Sequence, residues 1–137
     1  MAQRQKHLDL FGSMITSIGE KIKLHAVVLF GSRARGDAHD LSDYDLVIIA
    51  DFKEPYNRRR DWVVRLAPMI SVDLFCFTPA DFQKLFNDLN LTAIDAVGEG
   101  IVLAGEDYIK PYKEQFEDMA SRGMKKTDCL IIPPKEA

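Results

Sequence analysis

Two aspartates one residue apart, Asp43 and Asp45, stand at the mouth of the apolar run Leu46–Ile49 in the text SDYDLVIIA. On a strand, residues i and i+2 lie on the same face. Two carboxylates held that close are costly unless a cation sits between them. The pair therefore constrains fold and chemistry together, and it is the first candidate for a metal site. The stretch before it, Val27–Phe30, is a second apolar strand, broken by Gly31-Ser32 and followed by the polar connection Arg33–Asp40. The strand at about 25–30 is apolar on both faces, so it is expected at the centre of a sheet with cover on each side.

Leu8, Phe11, Ile15, Ile18 and Ile22 recur at helical spacing and predict an amphipathic helix over about 4–22. Pro55 suits a first helical position, and the segment to Leu66 is expected to turn Tyr56, Trp62, Val63 and Leu66 toward a core. The Arg58-Arg59-Arg60 run within it reads as a solvated face. In the strand MISVDLFCF, Ser71, Asp73 and Phe75 share one face. Thr78-Pro79-Ala80-Asp81 has the composition of a helix N-terminus. A helix at Leu91–Val97, a short strand at Ile101–Leu103 and a last helix from Pro111 to Gly123 follow. The apolar tail LIIPP reads as an edge strand or a stripe packed on the domain. Residues 1–137 read as a single domain, with a core over about 24–105 and a C-terminal helix and tail over about 106–137.

A formal net charge of −3 argues against extended, sequence-blind contact with nucleic-acid backbone. No run has the length of a membrane span, and the N-terminus lacks a signal-peptide pattern. Cys76 and Cys129 have no metal-type spacing and suggest no disulfide framework, which favours the cytoplasm. His39 and Asp40 are expected to face solvent, and Tyr44 to point away from the carboxylate face.

A lone charge inside an apolar strand demands a partner, and Asp73 in ISVDLF is such a charge. If its strand lies beside that of Asp43 and Asp45, three carboxylates converge into an oxygen-only donor set, the kind magnesium or manganese prefers. Two such ions can activate a hydroxyl and steady the leaving oxygen of a phosphoryl transfer. Gly31 lets backbone approach a phosphate, Ser32 adds a hydroxyl at a helix start, and Arg33 and Arg35 would clamp outer phosphates.

Gly31-Ser32, ten residues, then Asp43-x-Asp45 resembles the GS-x10-D-x-D motif of the DNA polymerase beta-type nucleotidyltransferase superfamily, and GSRARGD…SDYDL is most similar to its minimal nucleotidyltransferase branch. Asp73 matches that family's third carboxylate. The resemblance implies an α/β nucleotidyltransferase fold, a small mixed sheet of about four strands with helices mainly on one face. It implies two magnesium ions, with manganese as an alternative, on Asp43, Asp45 and Asp73. It also implies triphosphate binding by Gly31 and Ser32, and transfer of a nucleoside monophosphate, AMP from ATP in the first instance, to a hydroxyl. In the minimal branch the acceptor is commonly a small helical HEPN protein, often an RNase toxin, which adenylylation neutralises. A non-catalytic antitoxin module and an antibiotic-type small-molecule transferase are the alternatives, and homo-oligomerisation is left open.

Overall fold

The computed structural model describes residues 2–38, 42–127 and 130–136. Cys129, His39 and Asp40 lie outside these, so the expectations for them are not addressed. β1 (Leu24–Phe30) has no polar face: Ala26, Val28 and Phe30 enter one core, and Val27 and Leu29 another. Such a strand is stable only with neighbours on both edges and cover on both faces. β2 (Tyr44–Ala50) and β4 (Ile101–Ala104) pair with it antiparallel, and β3 (Val72–Phe77) runs parallel to β2. The result is a four-stranded mixed sheet in the order β3-β2-β1-β4. A parallel pair needs a crossover, and here α3 (Tyr56–Val63), extended by a 3-10 turn at Val64–Leu66, supplies it.

α4 (Pro79–Asn87), α5 (Leu91–Glu99) and α6 (Glu106–Ser121) cover one face, through Phe82, Phe86, Ile94, Val97, Ile109 and Tyr112. α1 (Ala2–Lys21) and α3 cover the other, where Phe11, Met14, Ile18 and Val63 meet Leu46, Ile48 and Leu74. The α/β class and the mixed sheet are as expected. The five longer helices divide three to two between the faces among the described residues, so most of them lie on one face but the other is not bare. The doubly apolar β1 and β2 require this.

Local chemistry explains the helix ends. Thr78 and Asp81 form a reciprocal capping box at α4, with Pro79 in the first turn. α6 begins at Glu106, not at Pro111 as expected; Pro111 lies inside it. Gly105 turns the chain and two acidic residues open the helix against its dipole. Pro111 is exposed, so the carbonyl it leaves without a donor can be hydrated. At the far end Gly123 donates to Ala120 and Met124 to Met119, which closes the helix. The tail forms a two-stranded ribbon of β5 (Lys125–Lys126) and β6 (Ile131–Ile132), with Ile131 packed on the first core. The Lys126 ammonium holds it to Asp95 and Glu99 of α5, at 2.9 and 2.6 Å.

The arginine run does not form one solvated face. Arg58 and Arg60 are exposed, but Arg59 is buried at 8% exposure, while Tyr56, expected in the core, is 50% exposed. The cause is the free edge of β3, whose carbonyls need donors. Arg59 Nη1 donates to Cys76 O at 3.1 Å and Arg60 Nη2 to Val72 O at 3.4 Å. On the opposite edge, Arg4 Nε donates to Val102 O at 2.9 Å. Arg59 also donates to Asp81 at 2.7 Å. Burial pushes the Asp81 carboxyl up, but the hydrogen bonds from Arg59 and Thr78 outweigh it and hold it below its ordinary value.

A depressed carboxyl contributes stability above the ordinary carboxylate range and loses it as pH falls through the folded value. Asp81→Asn is therefore expected to cost about 1–3 kcal/mol at pH 7, discounted because Asp81 is partly exposed and its partner is not. The difference from wild type should vanish in strong acid. Urea unfolding of both proteins across pH checks this.

Candidate active site

The site begins where β1 ends. Phe30 pairs with Asp45 across the antiparallel ladder, so the turn that follows β1 rises beside the Asp45 side chain. Gly31 has φ +77° and ψ −159°, a conformation nearly confined to glycine. A Cβ there would stand 2.4 Å from Asp45 Oδ2. Gly31 thus lets the main chain close onto the carboxylate. Its carbonyl then accepts from the amides of Ala34 and Arg35, both at 3.0 Å, which starts α2 (Ser32–Arg35). The first amides of a helix have no partner within it, so those of Ser32 and Arg33 are available beside the carboxylate.

β2 and β3 place the acids. Their parallel register sets Asp45 directly against Asp73, and both lie on the face that carries Val47, Ile49, Phe75 and Phe77. Neighbouring strands are about 4.8 Å apart, so the two carboxyl groups meet. Burial pushes Asp45 up first, the charges of Asp73 and Asp43 add to this, and a hydrogen bond with Asp73 adds further, while Arg35 opposes it. The outcome is a carboxyl at about 6. Asp43, just ahead of β2, accepts a short hydrogen bond from the Ser71 hydroxyl, and Tyr44 N donates to Ser71 O at 3.0 Å. The structure therefore brings Asp45 and Asp73 into contact and fixes Asp43 to Ser71 at the same strand mouth. Among the described residues, no group of three His, Cys, Asp or Glu is gathered tightly enough to hold a metal as it stands. The donor set still fits a hard divalent cation: it is all oxygen, and among the described residues Arg35 is the charge that opposes the repulsion at Asp45.

The two arginines part company. Arg33 is not brought to the carboxylates: its Nη2 and Nε donate to Ser42 O at 2.9 and 3.2 Å, and its guanidinium lies 4.5 Å from the centre of the Tyr44 ring. Tyr44 packs with Phe11 and His7 on the opposite sheet face, as its strand period predicts. Arg33 thus braces the carbonyl that immediately precedes Asp43. Arg35 stays on the carboxylate side, where Asp37 at 3.2 Å and Glu99 at 3.8 Å hold it. Ser71 was not singled out for the site from sequence, although its place two residues before Asp73 on one strand face was the available signal. Arg59 is buried away from the acids and acts on the sheet edge.

A family model described as "Polymerase beta, Nucleotidyltransferase" matches residues 13–108. Comparison with curated proteins finds no match. Among solved structures, the chain resembles a candidate nucleotidyltransferase from Sulfolobus solfataricus, at 21% identity and TM-score 0.54 over 77% of this chain and 86% of that one. It resembles a toxin–antitoxin solved with AMP-PNP at 22% identity and TM-score 0.57, over 80% of this chain and 86% of the other. A mutant of the toxin–antitoxin MntA-HpeT is similar at 19% identity and TM-score 0.52, over 86% of each chain. At these identities the likeness is one of fold.

Proposed function

The chain belongs to the polymerase beta nucleotidyltransferase family, and from that premise we propose that it transfers AMP from ATP to a hydroxyl on a protein partner, a small helical toxin of the HEPN type that it thereby silences. The observation that carries the reading is the in-register pair Asp45 and Asp73 with Gly31 closed onto Asp45. The toxin–antitoxin proteins of the same fold, one of them solved with AMP-PNP, support the choice of nucleotide and partner class.

In this reading Gly31 and Ser32 bind the triphosphate tail through main-chain amides and the Ser32 hydroxyl, and Arg35 adds charge at its outer end. Asp43, Asp45 and Asp73 would hold two magnesium or manganese ions, which when bound neutralise the triphosphate and acidify the acceptor hydroxyl. Asp73 takes the acceptor proton as the hydroxyl oxygen bonds to the α-phosphorus. The α–β phosphoanhydride bond breaks with its electron pair on pyrophosphate, which leaves. Ser71 keeps Asp43 at the strand mouth, and Arg33 keeps the preceding carbonyl in place.

The test is incubation with magnesium, ATP labelled on the α-phosphate and the product of the neighbouring gene as the candidate toxin. Label should appear on the toxin with wild type and not with the Asp43→Asn/Asp45→Asn double variant. Unlabelled toxin with wild type, or equal label with the variant, would overturn the proposal. Toxin neutralised even after loss of all three aspartates would point to a binding module. Label on a small hydroxyl compound alone would point to the antibiotic-type reaction.

A further inference from the structure

α5 ends against the rules that stabilise a helix. Asp95 and Glu99 stand four residues apart on one face of its second half, where the dipole is already negative. No basic residue lies in the last turn to offset them. Among the described residues, the cations that answer this pair come from elsewhere in the chain. Lys126 of β5 pairs with Asp95 Oδ1 at 2.9 Å and donates to Glu99 Oε1 at 2.6 Å. Arg35 Nε, from α2, faces the other oxygen of the same carboxylate, Glu99 Oε2, at 3.8 Å. Glu99 is thus shared between the tail ribbon and the turn beside the acids. The two pairs are unequal. Lys126 is in contact, whereas Arg35 stands near the outer limit of an ion pair and lies closer to Asp37, at 3.2 Å. Asp95 is 14% exposed and Lys126 31%, so salt screens their attraction less than that of an open surface pair. The end of α5 is seated on the sheet, because a Cβ at Gly100 would collide with Val28 of β1. The helix cannot follow its charges, so the side chains must answer them.

We propose that Lys126 is a positioning residue for Arg35: by neutralising Asp95 and Glu99, it leaves the guanidinium loosely held and able to turn to the outer phosphates of a bound triphosphate. The inference rests on the transferase reading above and adds to it a residue of the tail ribbon that acts on the phosphate end of the site. The argument is one of competition. The hydrogen bond to Asp37 raises the Arg35 guanidinium above its ordinary value, burial opposes this, and the charges of Asp37, Glu99 and Asp95 add to it. The acid pair on α5 is therefore felt at Arg35, and the charge of Arg35 is in turn felt at Asp45. With the ammonium in place, one of the two α5 charges is cancelled. Without it both carboxylates face Arg35 uncompensated, and the guanidinium closes on Glu99 and is withheld from the phosphates.

The experiment is isothermal titration, with magnesium present, of ATP and inorganic tripolyphosphate into wild type and four variants. These are Arg35→Met, Lys126→Met, Lys126→Met/Glu99→Gln and Arg35→Met/Lys126→Met, each checked for folding by far-ultraviolet circular dichroism. Arg35→Met should weaken both compounds about tenfold or more, as loss of a charge-assisted contact does. Lys126→Met should weaken both about three- to tenfold, the coupling expected within one ion-pair network. Adding Glu99→Gln should bring Lys126→Met back to within about twofold of wild type, and Lys126→Met should change nothing further once Arg35 is gone. A tail that only buttressed the fold would not be rescued by Glu99→Gln, which restores no anchor to the ribbon. Unchanged affinity in Lys126→Met would overturn the inference. So would a loss that Glu99→Gln does not restore, or one that adds in full to that of Arg35→Met. If wild type binds neither compound, the transferase reading falls and this inference with it. If wild type binds both and Arg35→Met binds them as tightly, Arg35 has no part at the phosphates and this inference falls while the transferase reading stands.

Discussion

Gly31→Ala is expected to lower nucleotidyl transfer by about 10²-fold or more while Gly36→Ala leaves it nearly unchanged. Both glycines have positive φ, +77° and +84°, so both substitutions strain the main chain. They differ in what a Cβ meets. At Gly36 nothing lies within 4 Å, whereas at Gly31 the new carbon would stand 2.4 Å from Asp45 Oδ2. The carboxylate cannot retreat freely, because Asp73 faces it in register and Phe30 holds its strand from the other side. The turn, the carboxylate or both must move by about an ångström, and a displacement of that size at reacting groups costs about 10²-fold. Backbone strain adds about 1–3 kcal/mol of lost stability in the conformation of Gly31, and about 1–2 kcal/mol at the left-handed Gly36. Steady-state pyrophosphate release and urea unfolding of the two variants separate the effects. Full activity in Gly31→Ala would show that the approach of the turn to Asp45 has no part in the reaction.

Asp45 was legible through its spacing from Asp43, which puts two carboxylates on one strand face, and Asp73 because a lone charge inside an apolar strand needs a partner. The strand period placed Tyr44 on the opposite face. Thr78 and Asp81 were legible because a capping box is local. What could not be read depended on surroundings that no local pattern carries. Arg33 and Arg35 look alike in sequence, yet at about 100° per residue on a helix they point in nearly opposite directions, and only Arg35 stays on the side of the acids. Arg59 sits in a run of three arginines. Which of the three turns inward is decided by the unpaired carbonyls of an edge strand, and that edge exists only once the strand order is known. Tyr56, three residues before Arg59, stacks on Phe77 at the same edge with half its surface exposed. Pro111 marked a helix start by its own preference, but Gly105 and the acids after it began the helix a turn and more earlier.

Asp45→Asn is expected to cut activity steeply and to stabilise the protein in the absence of metal. The raised Asp45 carboxyl binds its proton more tightly in the folded state, about 6 against an ordinary 3.8. Between those values the folded state holds more protons than the unfolded one, so stability falls as pH rises through the window and stays low above it. After discounting for solvent access, the loss amounts to about 1–2 kcal/mol. Asparagine carries no charge and escapes it, so the variant should melt higher than wild type at pH 8 and equally at pH 4. Magnesium should raise the wild-type melting temperature above pH 6, where the carboxylates are free to receive it, and have little effect near pH 4, where protons occupy them. The variant should gain little at either pH. Transfer should fall by about 10³-fold, since electrostatic stabilisation of a phosphoryl group by bound cations is a matter of several kcal/mol and each 1.36 kcal/mol is tenfold. Melting curves at the two pH values with and without magnesium, beside the transfer rate, test both halves. A variant that is inactive yet no more stable than wild type at pH 8 would mean that neither burial nor Asp73 destabilises the ionised Asp45, and that the sheet accommodates the pair without a cation.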